Sequence, residues 1–266
     1  MTEHALTFLK LGGSLITDKT QEATLRPDHL QRLADEVRAA LEARPDISLV
    51  LGHGSGSFGH FAGRRYSTRS GVHSNQEWAG YARVSAAAAR LNRMVTDAFL
   101  QAGVPVLSLQ PSASAHCDDG QLSALETIPI QTALAHNLIP LLYGDVALDS
   151  IRGGTIVSTE EIFRHLAPIL RPRRILLAGD VDGVLDSSGK VIPLIRPGQI
   201  DRLTARLGGS HGIDVTGGML GKVTAMLELV ERHPAISVRI FSGLTPGRVQ
   251  RALLDPDYPT GTLLTA

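Results

Sequence analysis

Apolar positions in this chain fall into two kinds of run. Short unbroken runs, "LTFLKL" (Leu6–Leu11), "ISLVLG", "VPVLSL", "LIPLLYGD" and "RRILLAGD", carry too little polar character for a half-exposed strand and predict strands buried on both faces. Between them lie longer amphipathic stretches. "RPDHLQRLADEVRAALEA" places Leu30, Leu33, Ala34, Val37, Ala40 and Leu41 at helical spacing behind Pro27. A second helix is predicted from about Glu77 to Gln101, and others over "IPIQTALAHN", "TEEIFRHLAPIL" and the segment after "DVTGG". "VALDSIRGGTIVS" reads as a hairpin, "GKVIPLI", "SVRIFSG" and "TGTLLT" as further strands. Strands alternating with helices predict an α/β fold, a three-layer αβα sandwich around a mostly parallel sheet. The region from about Ser114 to Val157 reads as an elaboration at one end of that sheet. No long linker interrupts the 266 residues, so a single domain with two lobes is expected.

Composition narrows the class. Lys plus Arg and Asp plus Glu both number 26, so no broad basic face for nucleic acid is expected. The single cysteine, Cys117, excludes an intrachain disulfide and fits a reducing compartment. The N-terminus has no signal-peptide pattern and no run reaches about 20 apolar residues, so a cytoplasmic protein outside the membrane is expected.

The chemistry sits where the strands end. In open parallel sheets, ligands bind beyond the carboxyl ends of the strands. "KLGGSLITDK", "GHGSGSFGH", "YGD" and "GDVDGVLD" all follow strand ends, and "DVTGGMLGK" leads into a helix. Gly12, Gly13 and Ser14, and the Gly54–Gly59 stretch, look like two cradles whose backbone N–H groups can approach an anion. Neither is a Walker A loop, and the match of Gly54, Gly56 and Gly59 to G-x-G-x-x-G is a weak pattern on its own. Lys10 at the end of a buried strand, Lys19 after "ITD" and Lys222 at a helix start can together neutralise a transferring phosphoryl group, whose chemistry depends on positioning and electrostatics. Asp145 is the candidate to organise a lysine pair. Asp180, Asp182 and Asp186 surround Gly183 without EF-hand spacing, so a nucleotide-side loop competes with a metal loop there. No protein-ligated metal is expected. His53 reads as a loop or supporting residue.

These motifs resemble those of the amino acid kinase family, and "ITDK" with "SFGH" resembles its isopentenyl phosphate kinases in particular. The resemblance implies an ATP-dependent kinase, with Mg²⁺ travelling on ATP, that converts isopentenyl phosphate to isopentenyl diphosphate, usually as a homodimer. It implies an acceptor lobe over about residues 1–165 and an ATP lobe over about 166–266. Lys10, Gly12, Gly13, Ser14, Gly56, Asp180, Gly218 and Lys222 would hold ATP, and Lys19 would stabilise the transition state. Ser55, Gly56, Gly59, His60 and Thr159 would hold the acceptor, with His60 on its phosphate. Where the family usually shows Ser-Gly-Asp, this chain reads Ser158-Thr159-Glu160-Glu161. Val72, Val84 and Met94 are expected to line the alkyl pocket. A phosphonate kinase of the fosfomycin type and a non-catalytic nucleotide- or oxyanion-binding protein are the alternatives.

Overall fold

The computed structural model describes residues 5–199 and 217–266. Its main sheet has eight strands in the order β10-β12-β11-β9-β1-β2-β6-β3. These are β1 (Thr7–Leu11), β2 (Leu49–His53), β3 (Val106–Ser108), β6 (Ile139–Tyr143), β9 (Arg174–Gly179), β10 (Leu194–Ile195), β11 (Ser237–Ser242) and β12 (Thr262–Leu264). All neighbours are parallel except β11 and β12. The second sheet, β5-β4-β7-β8, is made from β4 (His116–Asp118), β5 (Gln121–Ala124), β7 (Asp145–Asp149) and β8 (Gly153–Val157). The expected elaboration is thus a separate sheet, although β6, inside the same stretch, joins the main one.

The described helices are α1 (Gly13–Ile16), α2 (Pro27–Ala43), α3 (Gly56–Tyr66), α4 (Asn75–Gln101), α5 (Ile128–Ala135), α6 (Thr159–Leu170), α7 (Gly217–Arg232) and α8 (Arg248–Leu254). They cover both faces of the main sheet. Along β1, Phe8 joins the core formed with α6 and α7, while Leu9 and Leu11 join the core formed with α2, α4 and α8. Period-two alternation therefore puts Lys10 on the α6–α7 face, inside the sandwich rather than at its rim. Two-sided burial is why these strands read as continuous apolar runs.

Two helix starts deserve physical explanation. Ser74 caps α4 by a reciprocal pair with Glu77, and Ser158 caps α6 in the same way with Glu161. The "STEE" sequence is thus a capping box, which fixes where Thr159 and Glu160 stand. The glycine-rich stretch is shorter as a loop than the sequence implies: β2 runs to His53 and α3 begins at Gly56.

Candidate active site

Strands β9, β1, β2 and β6 are adjacent and parallel, so their carboxyl ends form one edge. The chain leaving each end is tied to its neighbour: Gly12 N–H donates to Ala178 (2.7 Å), Gly54 to Leu11 (3.0 Å) and Gly144 to His53 (3.2 Å). The two glycine stretches press together at this edge. A Cβ on Gly13 would lie 2.5 Å from the Gly56 Cα. Gly56 has φ +51°, and its own Cβ would collide with the Thr17 side chain. Thr17 Oγ1 locks the pair, donating to Gly13 C=O (2.7 Å) and accepting from Ser57 N–H (2.9 Å).

Above this floor stand the cations. Lys10 Nζ lies 2.6 Å from Glu160 Oε1, and Lys222 Nζ lies 3.1 Å from the same oxygen. One carboxylate therefore holds a lysine from β1 beside a lysine from α7. The Glu160 side chain is 17% exposed, Lys10 9% and Lys222 29%, so water screens this cluster weakly. Burial raises the Glu160 pKa, but Lys10 and Lys222 outweigh it and pull the carboxyl down to about 2. Burial lowers the Lys10 pKa; Glu160 opposes that shift, and Lys222 and Lys19 reinforce it.

Lys19 Nζ reaches Asp180 Oδ2 at 3.3 Å, bridging the loops after β1 and β9. Burial works against the Asp180 carboxylate, but hydrogen bonding from Ser14 and the charge of Lys19 prevail and lower its pKa. His60 sits in the second turn of α3, exposed at its edge. Partial burial, then the cations of Lys19, Arg64 and Lys10, lower its pKa, so the free ring is neutral near pH 7. Three ammonium groups, an imidazole and two glycine cradles thus meet at one sheet edge. Such a site can hold two phosphorylated groups against each other and neutralise charge that develops between them.

Residues 5–242 match the sequence profile of the Amino acid kinase family. This chain belongs to that family. It is 36% identical to the isopentenyl phosphate kinase of Methanothermobacter thermautotrophicus, covering 97% of this chain and 98% of that one. It is 40% identical to the isopentenyl phosphate kinase of Haloferax volcanii, covering 93% and 99%. A solved structure described as X-ray structures of isopentenyl phosphate kinase superposes with a TM-score of 0.82 at 31% identity, covering 98% of this chain and all of that one.

As an amino acid kinase, the chain brings Lys10, Lys19, Lys222, Asp180, Ser14, Gly12, Gly13, Gly56 and His60 to one edge. Gly218 lies in the first turn of α7, while Asp214, Val215 and Thr216 of the preceding turn lie outside the described residues. Ser55 is the N-cap of α3, and its side chain packs on Gly59, whose missing Cβ makes the room.

One sequence expectation changes, and three others gain a structural placement. The organiser of the lysine pair is Glu160, not Asp145. Asp145 is buried and accepts from the backbone N–H groups of Ser112 and Val146. Thr159 does not present its side chain to a substrate: its hydroxyl donates to His53 C=O at 2.6 Å, and its methyl would lie 2.5 Å from a Cβ on Gly52. What it can offer is a backbone N–H in the first helical turn, which has no acceptor within the helix. The carboxylates around Gly183 diverge: Asp180 pairs with Lys19, Asp182 with Arg248, and Asp186 closes its own turn through Ser188 and Lys190. Met94 is 38% exposed on α4, whereas Val72 and Val84 are buried. Glu160 had one readable signal: it stands where the family's Ser-Gly-Asp carries its acid.

Proposed function

We propose that this protein is an ATP-dependent kinase that phosphorylates isopentenyl phosphate to isopentenyl diphosphate. The observation that carries the reading is the Lys10–Glu160–Lys222 cluster set beside His60 and Lys19 over two glycine cradles. The isopentenyl phosphate kinase names of full-length relatives supply the acceptor. ATP would contribute the phosphoryl group, and Mg²⁺ would offset charge on its phosphates. The residues fit such a ligand: at Gly13 and Gly56 a Cβ would close the cradle, and the lysines carry the matching charge.

In the reaction, an oxygen of the acceptor phosphate bonds to the γ-phosphorus and the bond from that phosphorus to the β-bridging oxygen breaks, releasing ADP. The acceptor oxygen is already anionic near neutral pH, so no general base is required. Lys10 and Lys222, held by Glu160, neutralise the β- and γ-phosphate oxygens. Lys19 takes up charge on the transferring group. His60 donates an N–H to the acceptor phosphate, with backbone N–H groups of Ser55 and Gly56 beside it. Residues up to about 165 would serve the acceptor and those from about 166 ATP, a division supported by His60 in α3 and Lys222 in α7. A homodimer in the cytoplasm completes the reading on the strength of the family resemblance. Among the described residues, no helix is long and apolar enough to cross a membrane.

The test is purified protein with ATP, Mg²⁺ and isopentenyl phosphate, followed by phosphorus NMR. Loss of the monophosphate signal, with diphosphate and ADP appearing in equal amounts, is expected. Phosphorylation of fosfomycin in preference, or no turnover of either acceptor, overturns the reading.

A further inference from the structure

Beneath the cradle runs a buried polar chain for which the phosphate-handling steps have no use. His53, the last residue of β2, is fully buried, with its ring stacked on Tyr143 at 5.5 Å and 6° between planes. Nδ1 lies 3.0 Å from the Gly54 carbonyl oxygen, and Nε2 lies 3.2 Å from Oδ1 of the Asn92 side-chain amide in α4. The amide nitrogen, Nδ2, is 2.5 Å from Ser108 Oγ in β3; O and N of an amide can exchange places by a half-turn with little change of shape. The Asn92 backbone is pinned in turn, its carbonyl accepting from Thr96 at 2.7 Å.

Burial, aided by the charge of Lys10, lowers the His53 pKa although Gly54 and Asn92 oppose it, so the ring is neutral and carries one N–H. Two tautomers are available. With the proton on Nε2, the Nδ1 lone pair would face the Gly54 carbonyl lone pairs at 3.0 Å. With the proton on Nδ1, the ring donates to Gly54. Nε2 then accepts from the Asn92 NH₂ group, with the amide turned about its axis, and Ser108 donates to the remaining amide oxygen. Only the second arrangement leaves every buried group partnered. In a trans peptide the C=O and N–H point in opposite directions. Tying the Gly54 carbonyl to the buried ring therefore aims the Ser55 N–H away from it. Ser55 has right-handed helical angles (φ −70°, ψ −8°) and Gly56 has φ +51°, the sequence of conformations that makes backbone N–H groups converge on an anion.

We propose that His53, held as its Nδ1–H tautomer by Asn92, is a positioning residue that locks the Gly54–Ser55 peptide so that the Ser55 N–H is presented to the acceptor phosphate. The role rests on the kinase reading above. The asparagine amide reaches the place of Nδ1, and the glutamine amide reaches the place of Nε2. His53→Asn therefore keeps the donor to Gly54, and His53→Gln keeps only the contact with Asn92. Asn92→Asp, which can only accept, puts a proton on Nε2 as well, and its charge favours a ring that keeps Nδ1–H on Gly54.

The experiment combines acceptor and ATP kinetics of these three variants with nucleotide affinity by calorimetry. Nitrogen NMR of the histidine-labelled wild type accompanies it. Expected are His53→Asn and Asn92→Asp enzymes within about threefold of wild type, and a His53→Gln enzyme whose acceptor kcat/KM falls about tenfold or more, the loss of one well-placed hydrogen bond. ATP affinity should hold in all three. The wild-type spectrum should show Nδ1 protonated and Nε2 bare. A bare Nδ1 overturns the proposal even if the variants fail to fold. Equal acceptor kinetics in the Asn and Gln variants overturn it too, as does a loss shared equally by ATP binding. Wild-type turnover of isopentenyl phosphate separates the two failures: its absence removes the kinase reading, whereas its presence with equal variants removes the role of His53 alone.

Discussion

Glu160→Gln removes one charge and almost no volume from the centre of the site. A carboxyl drawn from 4.5 to about 2 gains on the order of 3 kcal/mol from its surroundings. Lys10 reports the opposing cost, because its pKa is lowered in spite of the pairing. The cluster therefore returns less than the glutamate alone implies, and a net loss of about 1–3 kcal/mol is expected for the variant at pH 7. At a urea slope of about 3 kcal/mol/M this moves the unfolding midpoint by about 0.3–1 M. The folded pKa lies below the unfolded one, so the stabilisation is fully present above about pH 4.5 and lost as pH falls towards about 2. Glutamine resembles the protonated acid, so the gap between wild type and variant should be constant from neutral pH to about pH 5 and narrow below that. Catalysis supplies a second reading. Two unneutralised ammonium groups attract ATP in the ground state, while their mutual repulsion spoils their placement in the transition state. ATP should bind as tightly or more tightly, and kcat should fall about 10- to 100-fold. A stability gap of full size near pH 3, or an unchanged kcat, would refute the role given to Glu160.

Lys10→Ala should cost about a hundredfold or more in kcat, as for one strong transition-state donor, and a folded variant with near-normal turnover would remove it from the chemistry. Lys19→Ala should lower kcat more than it weakens ATP binding; an effect confined to the KM for ATP would make it a binding residue. His60→Ala should raise the acceptor KM about tenfold or more with ATP affinity intact, and His60→Gln should retain more activity because it keeps a donor. Since burial and neighbouring cations depress the His60 pKa, any acid limb in kcat/KM due to this ring should lie below the ordinary value of about 6.5. Wild-type kinetics in folded His60→Ala would contradict the assignment. Gly56→Ala should destabilise by about 1–3 kcal/mol, since it combines φ +51° with a collision at Thr17; an unchanged melting temperature would show that the loop can move aside.

Much of the framework could be read from the chain because burial on both faces leaves an unmistakable mark. β1, β2, β6 and β9 are apolar runs ending in glycine or a polar residue, and α2 and α4 fall within two residues of their periodic patterns. "GKVIPLI" reduces to the pair Leu194–Ile195, a short edge strand where alternation cannot be judged. The site's lysines were legible because a lysine inside an apolar strand demands a partner. The partner was legible only through its place at the acid of the family's Ser-Gly-Asp, because Glu160 is 150 positions from Lys10 and stands beside Glu161, the acid that the capping box explains. Asp145 looked the better partner from its place after a strand. Folding instead turns β7 into the second sheet and buries that carboxylate against backbone N–H groups. Local pattern sets secondary structure; which charges meet is decided by the order of strands in the sheet.

The contact between Gly13 and Gly56 has a genetic corollary. The Gly56 backbone occupies the space that a Gly13 side chain would need, and the Thr17 side chain occupies the space that a Gly56 side chain would need. A clash made at position 13 cannot be relieved by a smaller residue at position 56, which is already glycine, whereas one made at position 56 falls on Thr17, where a smaller residue could make room. In a library of all single substitutions both positions should tolerate almost nothing, and second-site suppressors should not arise at either partner. A lineage that loses Gly13 has no short path back except direct reversion.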